Sequence, residues 1–442
     1  GTKEWNMSFN IGLSGLYAAN KQLDVTGNNI ANVATTGFKS SRAEFEDVYS
    51  ATRLGTGSKT VGNGVRLANV SQQFGQGDVN NTGNVLDMGI QGNGFFILSD
   101  NGSLSYTRAG AFKTDAENYV VDNNGNRLQG YGVDDNGKII NGVLTDLKID
   151  TSSLSPKATT RVDQTINLNS SETLPTVTPF NPAEPLSYNK PISTHIYDSQ
   201  GNQHNLDQYY VKTGTNAWTV YTYVDGRSPS NPAAEPPVPV TANVTFNSDG
   251  TVNTMTGSPG FAVTGKVFQL TGWVPGVVTN ANVTPKVWGP NGSVAATGGL
   301  SFDMTKTTSY NSPTARTQQF QDGYATGQIS SLTIDETGVM TANFSNQQTK
   351  AIGQVAVASF ANEQGLQPIG GTRWKETFAS GEAGVDAPKT GTLGAVVSNS
   401  LEESNVNLTN ELVDLIKAQS NYQANAKTIS TQSTIMQTII QM

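Results

Sequence analysis

Cysteine is missing from this 442-residue chain, and charge is sparse: Asp, Glu, Lys and Arg make up 14% of it, against about 25% in an ordinary domain. Without thiols there is no disulfide, no thiolate metal site and no cysteine nucleophile, and the chain can cross redox compartments unchanged. Histidine is nearly missing too. His195 and His204 are the 2 copies; with Asp198 and Asp207 nearby, they read as strand residues rather than metal or catalytic groups. No apolar run is long enough to span a bilayer, and no charged-then-apolar leader opens the sequence. The expectation is no membrane insertion and, if the protein leaves the cell, export without a cleaved signal. Basic excess is also lacking: the net charge of −8 argues against nucleic acid as a partner.

What is plentiful is glycine, with 46 residues, alongside 18 prolines and many Asn, Thr, Ser and Gln. That mixture suits strands joined by turns better than a helical bundle. The expected fold class is mainly β, as nested β domains, with N- and C-terminal α-helices pairing as a coiled coil and the chain leaving and returning through each domain.

At the two ends the hydrophobic period changes. Phe9, Leu13, Leu16, Asn20, Leu23, Gly27, Ile30 and Ala34 recur at alternating steps of four and three, a heptad pattern. Leu408, Leu412, Leu415, Gln419, Tyr422, Ala426, Ile429, Ser433, Met436 and Ile440 repeat it for longer. Ser400 with Glu403 suggests a capping box on the approach to the second helix. The first helix is expected to run to about Thr35 or Thr36: Gly37 suits the left-handed residue just past a helix, and Phe38 can fold back as the accompanying hydrophobic contact.

Both helices are short of charge. Between Asn10 and Gly37 only Lys21 and Asp24 are charged, and after Leu415 only Lys417 and Lys427. Asn28, Asn29 and Asn32 stand where an exposed helix usually carries lysine and glutamate. Gly12, Gly15 and Gly27 each weaken a helix interior by roughly 1 kcal/mol. Such a pair is weak alone, and its amides can exchange hydrogen bonds across an interface in either direction. The expectation is a set of self-assembly helices, marginal in the monomer and completed by neighbouring copies, so that the main partner of the chain is itself. A helical stalk within one chain is the plainer alternative.

Three domains follow from these shifts: a helical assembly domain of 1–76 with 396–442, a discontinuous β domain of 77–165 with 321–395, and an inserted outer β domain of 166–320. Residues 1–6, before Met7, are set aside as an appended remnant or an upstream start. SDNGS, DNNGN and DDNGK between 99 and 138 read as hairpin turns, not calcium loops, because glycine comes too early and no glutamate closes the loop. GNGFF at 92–96 lacks the third glycine of a dinucleotide fingerprint and reads as a turn before a strand. SPSNPAAEPPVPV at 228–240 cannot be a central strand. Trp218, Tyr221, Tyr223, Trp273 and Trp288 suit a β core, with a sugar-binding face as the alternative. No catalytic constellation, cofactor site or metal site emerges, and the chain is not read as an enzyme.

Three blocks carry a resemblance. LSGLYAANKQLDVTGNNIANVATTGFKSSRAEF at 13–45 resembles the N-terminal signature of the bacterial flagellar rod and hook axial proteins. GIQGNGFFILSDNGSLSYTRAGAFKTDAENYVVDNNGNRLQGY at 89–131 resembles their shared β domain, and LEESNVNLTNELVDLIKAQSNYQANAKTISTQSTIMQTII at 401–440 their C-terminal helix. YDSQGNQHNLDQYYVKTGTNAWTVYTY at 197–223 further resembles the outer domain of the hook branch, which shorter rod proteins lack. The resemblance implies a structural subunit of a curved, hollow helical polymer. That polymer acts as a universal joint, carries motor torque to the filament and encloses the export channel. It also implies an extracellular place in the flagellar hook, reached through the type III export apparatus without signal cleavage. Partners by resemblance are the hook cap, the distal rod and the hook–filament junction proteins. Phe9 and Leu13 match a brief Phe-x-x-x-hydrophobic export motif of early subunits. Two alternatives stay open: a distal rod subunit of the same family, and a surface carbohydrate-binding or adhesive β protein.

Overall fold

The computed structural model describes residues 2–49 and 61–442, with side chains from Phe9 onward. Residues 1 and 50–60, which belong to the expected helical domain, lie outside the described residues. Two long helices, α1 (Thr2–Ala31) and α2 (Leu408–Ile440), bracket a chain of strands. The fold class is therefore mainly β with terminal helices, and α1 and α2 pack on each other. The helical backbone of α1 already begins at Thr2, so the residues set aside before Met7 continue the helix.

The chain forms two compact units, one of 1–151, 331–343 and 349–442, the other of 152–330 and 344–348. The expected boundaries at 166 and 320 fall inside paired strands. Arg161–Asn167 pairs in parallel with Leu300–Asp303 and antiparallel with Ala315–Gln321. Likewise 76 and 396 mark no division within the first unit. Val79–Asn81 pairs with Ser400–Glu402, and Met88–Gln91 with Ala395–Ser398, so the chain's return strands are built into the sheet system its outgoing strands began.

The second unit is an antiparallel five-strand meander, from Lys190–Tyr197 to Val252–Gly257, facing a second sheet that includes Arg161–Asn167. Its strands alternate as one buried face requires: in Lys190–Tyr197 the inward positions Ile192, Thr194 and Ile196 are buried, while Pro191, Ser193 and His195 are exposed. One core lies between the sheets, with Trp218, Tyr210, Phe302, Val162 and Ile166 at its centre. Trp218, Tyr223 and Trp273 are buried, while Tyr221 stacks on Phe180 at 4.0 Å and Trp288 carries Arg227 over its ring at 5.7 Å. Core packing thus claims most of these aromatics. The proline-rich stretch stays irregular up to Val240. It is pinned by Arg227, whose Nε donates to Pro232 O at 2.8 Å and whose guanidinium also reaches Ala234 O and Glu235.

In the first unit the central sheet runs through Arg127–Tyr131, Phe95–Asp100 and Ser103–Thr107. The Asx turns behave as their chemistry dictates. Asp122 Oδ1 accepts from Asn124 N and Asn126 N, and Asp134 Oδ1 from Asn136 N and Lys138 N. Asn101 and Gly102 both take positive φ, 49° and 92°, as a two-residue hairpin turn needs.

Candidate functional site

The helix pair is the region the sequence singles out, and its seam is not the one the apolar heptads predict. On α1 the buried positions are Gly12, Ala19, Thr26 and Asn29, small or polar residues one step out of phase with Leu13, Leu16, Leu23 and Ile30, which are only half-buried. On α2 the fully buried residue is Ala418. Glu411, Leu415, Asn425 and Ile429 are half-buried, whereas Leu408, Leu412, Tyr422 and Met436 are exposed. The physical reason is proximity. A Cβ on Gly15 would overlap Asn425, and one on Gly12 would stand 3.3 Å from Ile429 Cγ1, so the helices approach where side chains are smallest. Large apolar residues mark a seam only when nothing smaller allows closer contact.

The outcome is that apolar side chains near both ends of α2 are left uncovered. Ile416 is 63% exposed and Ile440 78%, and Val413, Ile435 and Ile439 join Leu408, Leu412, Tyr422 and Met436 as exposed residues. Among the described residues, no helix is long and apolar enough to cross a membrane.

The three asparagines divide the work at the end of α1. Asn29 is buried: its Nδ2 donates to Ser41 O at 2.8 Å and to Glu411 Oε2 at 3.2 Å, and its Oδ1 accepts from Ser41 N at 2.9 Å. One side chain thus joins α1 to the hairpin strand Ser41–Asp47 and to the first turn of α2, where Glu411 also suits the helix dipole. Burial pushes the Glu411 carboxyl above its ordinary value, and the Asn29 bond only partly offsets that. Asn32 instead turns back on Asn28, donating to its carbonyl at 2.9 Å, and accepts from Thr35 Oγ1. Asn28 itself is exposed. The helix ends at Ala31, earlier than Thr35 or Thr36, because Asn32 N divides its bond between Asn28 O and Asn29 O and the chain tightens into turns. Gly37 is left-handed, at φ +69°. Its N–H donates to Glu402 O at 2.9 Å rather than back into α1, and a Cβ there would overlap the backbone of Ala109. Phe38 O accepts from Asn405 N at 3.2 Å. Phe9 is half-buried and Leu13 lies one turn on along α1. Ser400 and Glu403 form no capping box, because Ser400–Glu402 is a strand; α2 is capped by Asn407, whose Oδ1 accepts from Asn410 N at 3.1 Å.

At the root of the helix pair lies an ion cluster that the sequence did not announce. Lys39 Nζ contacts Glu402 Oε1 at 2.7 Å with both side chains fully buried, and Arg108 Nε donates to Glu402 Oε2 at 2.8 Å. The remaining donors are satisfied by carbonyls: Lys39 by Gly75 O, Arg108 by Gly92 O, Gly94 O and Ile90 O. Gly77 N adds a bond to Glu402 Oε1 at 3.0 Å. Burial pushes the Lys39 amine below its ordinary value, with Glu402 opposing that shift. The three residues come one from each of the blocks at 13–45, 89–131 and 401–440. Glu402 therefore locks the start of the chain, the central sheet and the approach to α2 at one point.

The second unit has a smaller cluster of its own. His204 Nε2 lies 2.7 Å from Asp198 Oδ2 and its Nδ1 2.6 Å from Asp225 Oδ2, with the Trp273 ring edge-on. Burial alone would lower the His204 pKa; the bonds to Asp225 and Asp198 more than offset it and hold the ring charged above 6.5. Burial alone would raise Asp198, yet bonds from His204, Asn291, Ser293 and Asn202 hold it well below the usual range. His195 instead is exposed and bonded to Gln203.

Four family models tile the chain in the order of these elements. "Flagella basal body rod protein" covers 9–39, "Flagellar hook protein FlgE/F/G D1 domain" 89–168, "Flagellar basal body protein FlaE D2 domain" 167–324, and "Flagellar basal body rod FlgEFG protein C-terminal" 397–442. The flagellar hook protein FlgE of Escherichia coli strain K12 is 40% identical over 441 residues, covering 99% of this chain and 100% of the relative. The chain belongs to the flagellar hook protein family. Another member, from Borreliella burgdorferi, is 32% identical over 449 residues and covers 98% of both chains. The solved Helicobacter pylori flagellar hook protein FlgE2 overlaps 73% of this chain and 100% of its own at TM-score 0.49 and 16% identity. This is a family of structural hook subunits, and its members are parts of the flagellum rather than of an enzyme family. Membership places the chain in the hook and in its polymer. The Lys39–Glu402–Arg108 lock and the uncovered apolar side chains of α2 are thus features of a hook subunit seen outside its polymer.

Proposed function

We propose that this hook subunit assembles through its terminal helices, the exposed apolar side chains of α2 being covered by neighbouring copies. The observation that carries the reading is the exposed apolar side chains of α2. The face of α2 toward α1 carries Glu411, Leu415, Ala418, Asn425 and Ile429, while Leu412, Val413 and Ile416 lie on the opposite side and stand exposed. Grouped exposed apolar side chains of this kind mark an interface. The polymer would be a curved tube acting as a universal joint, with the helix pairs forming the inner wall of an export channel. A wall of Asn, Gln, Ser and Thr holds passing chains weakly, because it offers neither charge nor a broad apolar surface. Bending would then be a shift among alternative packings between subunits. Export would use the type III apparatus, with Phe9 and Leu13 as the recognised pair, and the chain would meet the hook cap, the distal rod and the hook–filament junction at the ends of its polymer.

The test uses the full chain, because cutting at 395 would remove Glu402 and orphan Arg108. Leu412→Ser with Ile416→Ser should leave a folded monomer that forms no hollow tubes by negative-stain electron microscopy, under conditions where the unaltered chain does. Tubes of normal length from the double variant would overturn the assignment of assembly to α2.

A further inference from the structure

The loop between strands Arg373–Lys375 and Gly384–Asp386 holds Phe378 wholly in solvent, at 105% relative exposure. The loop around it is braced. Thr377 N donates to Ser380 Oγ at 2.8 Å, Ser380 N donates back to Thr377 Oγ1 at 3.1 Å, and Ser380 Oγ donates to Thr377 O at 2.9 Å. Gly381 N closes the turn on Phe378 O at 3.3 Å, with φ +78°. Thr377 Oγ1 also donates to Gly365 O. From the facing segment, Asn362 Nδ2 donates to Ala379 O at 3.1 Å and Asn362 N to Ser380 O at 3.3 Å. Ala383 N ties the far end to Glu376 Oε2 at 3.0 Å. Ser380 is completely buried, and a Cβ on Gly365 would overlap the Ala379–Ser380 backbone. The backbone around Phe378 is held by these bonds, and the ring stands bare.

A lone exposed apolar side chain is ordinary on a soluble surface. One at the tip of a hydrogen-bonded loop is different, because the backbone that carries it is already held in place. A preorganised aromatic gives up little conformational freedom on docking and so makes an effective anchor. We propose that the Thr377–Gly381 loop is a contact between subunits, in which Phe378 of one copy seats in an apolar pocket of a neighbouring copy of this chain. The inference rests on the polymer reading above, which supplies a second copy beside every loop. A small ligand is disfavoured because a single ring at a convex tip encloses nothing.

The test is assembly of the full-length chain carrying Phe378→Ser, beside Phe378→Trp and a variant with the photocrosslinker benzoylphenylalanine at 378. The Ser variant should melt as a monomer like the unaltered chain, yet need at least about tenfold more protein to form tubes. Trp should restore assembly. The crosslinker should yield covalent dimers in tubes and none in dilute monomer. An unchanged critical concentration for the Ser variant, or crosslinks confined within one chain, would overturn the anchor while leaving the hook reading intact. If the unaltered chain formed no tubes either in solution or in cells, the polymer reading would fall and the anchor with it.

Discussion

Trp218, Tyr210 and Phe302 are sealed between the two sheets of the 152–330 unit, whereas Ile416, Ile439 and Ile440 on α2 stand in solvent. The same kinds of residue are thus spent in opposite ways within one chain. The β unit buries its large side chains against itself and needs no neighbour for its core. The helix pair brings glycine, alanine and asparagine together at close range and leaves Leu412, Val413 and Ile416 in solvent. Charge follows the same division of labour. His204 sits within one unit, clasping two of its own loops, while Glu402 holds together segments far apart in sequence: residue 39, residue 108 and the strand leading into α2. A self-contained domain can be stabilised locally, but the root of an assembly helix has to be tied back to the body that it carries.

The largest effects should separate the two regions cleanly. Trp218→Ala should remove about 3–5 kcal/mol from the β unit, and Glu402→Ala about 3–5 kcal/mol from the other unit by leaving Lys39 and Arg108 buried without their counter-charge. Calorimetry of the full chain should show each substitution lowering a different transition; a shared shift would mean the two units unfold as one. Asn29→Leu should come next, at roughly 1–3 kcal/mol, since it strands Ser41 N–H, Ser41 O and Glu411 at a buried junction. Chemical denaturation followed by helical circular dichroism measures it, and an unperturbed midpoint would show that the junction is held by packing alone.

A pH series sharpens the contrast further. The His204 pKa is raised above 6.5 in the fold, so its contribution is complete below 6.5 and is lost as pH climbs through the raised value. Asp198, lowered below 3.8, contributes above 3.8 and loses that as pH falls through its lowered value. The β unit should therefore melt progressively earlier as pH rises above 6.5, and His204→Gln should flatten that slope. Trp273 fluorescence, beside the ring, is a direct reporter. The smallest effect should be Ile416→Ser on the monomer, within about 0.5 kcal/mol, the counterpart of its predicted large effect on tube formation. A loss of several kcal/mol in the monomer would mean α2 buries that face at home.

Much of this was legible in residue patterns because it rests on local chemistry. Asn-Gly and Asp-x-x-Gly turns need positive φ and a carboxylate at a fixed offset, so Asn101–Gly102 and Asp122–Gly125 could be placed from a few residues each. Strand alternation at 190–224 and the long C-terminal period were equally local. The seam of the helix pair was misjudged by one step, since Leu13 and Leu412 advertise burial and Gly12, Ala19 and Ala418 do not. Which face closes depends on how near two backbones can come, and that is a property of both helices together. The end of α1 was set too late for a related reason: Asn32 satisfies its side chain on Asn28 and Thr35, an option that periodicity does not weigh.

By itself, the sequence determined the class of this protein. A chain without cysteine, with few charges, turn-rich in the middle and heptad-patterned at both ends, has to be β-structured between two helices. Only the tertiary structure decided that Lys39, Arg108 and Glu402 meet, that Phe378 stands free on a braced loop, and that Leu412 and Ile416 stay uncovered. Each of these depends on residues hundreds of positions apart or on the distance between surfaces, and no local preference encodes either.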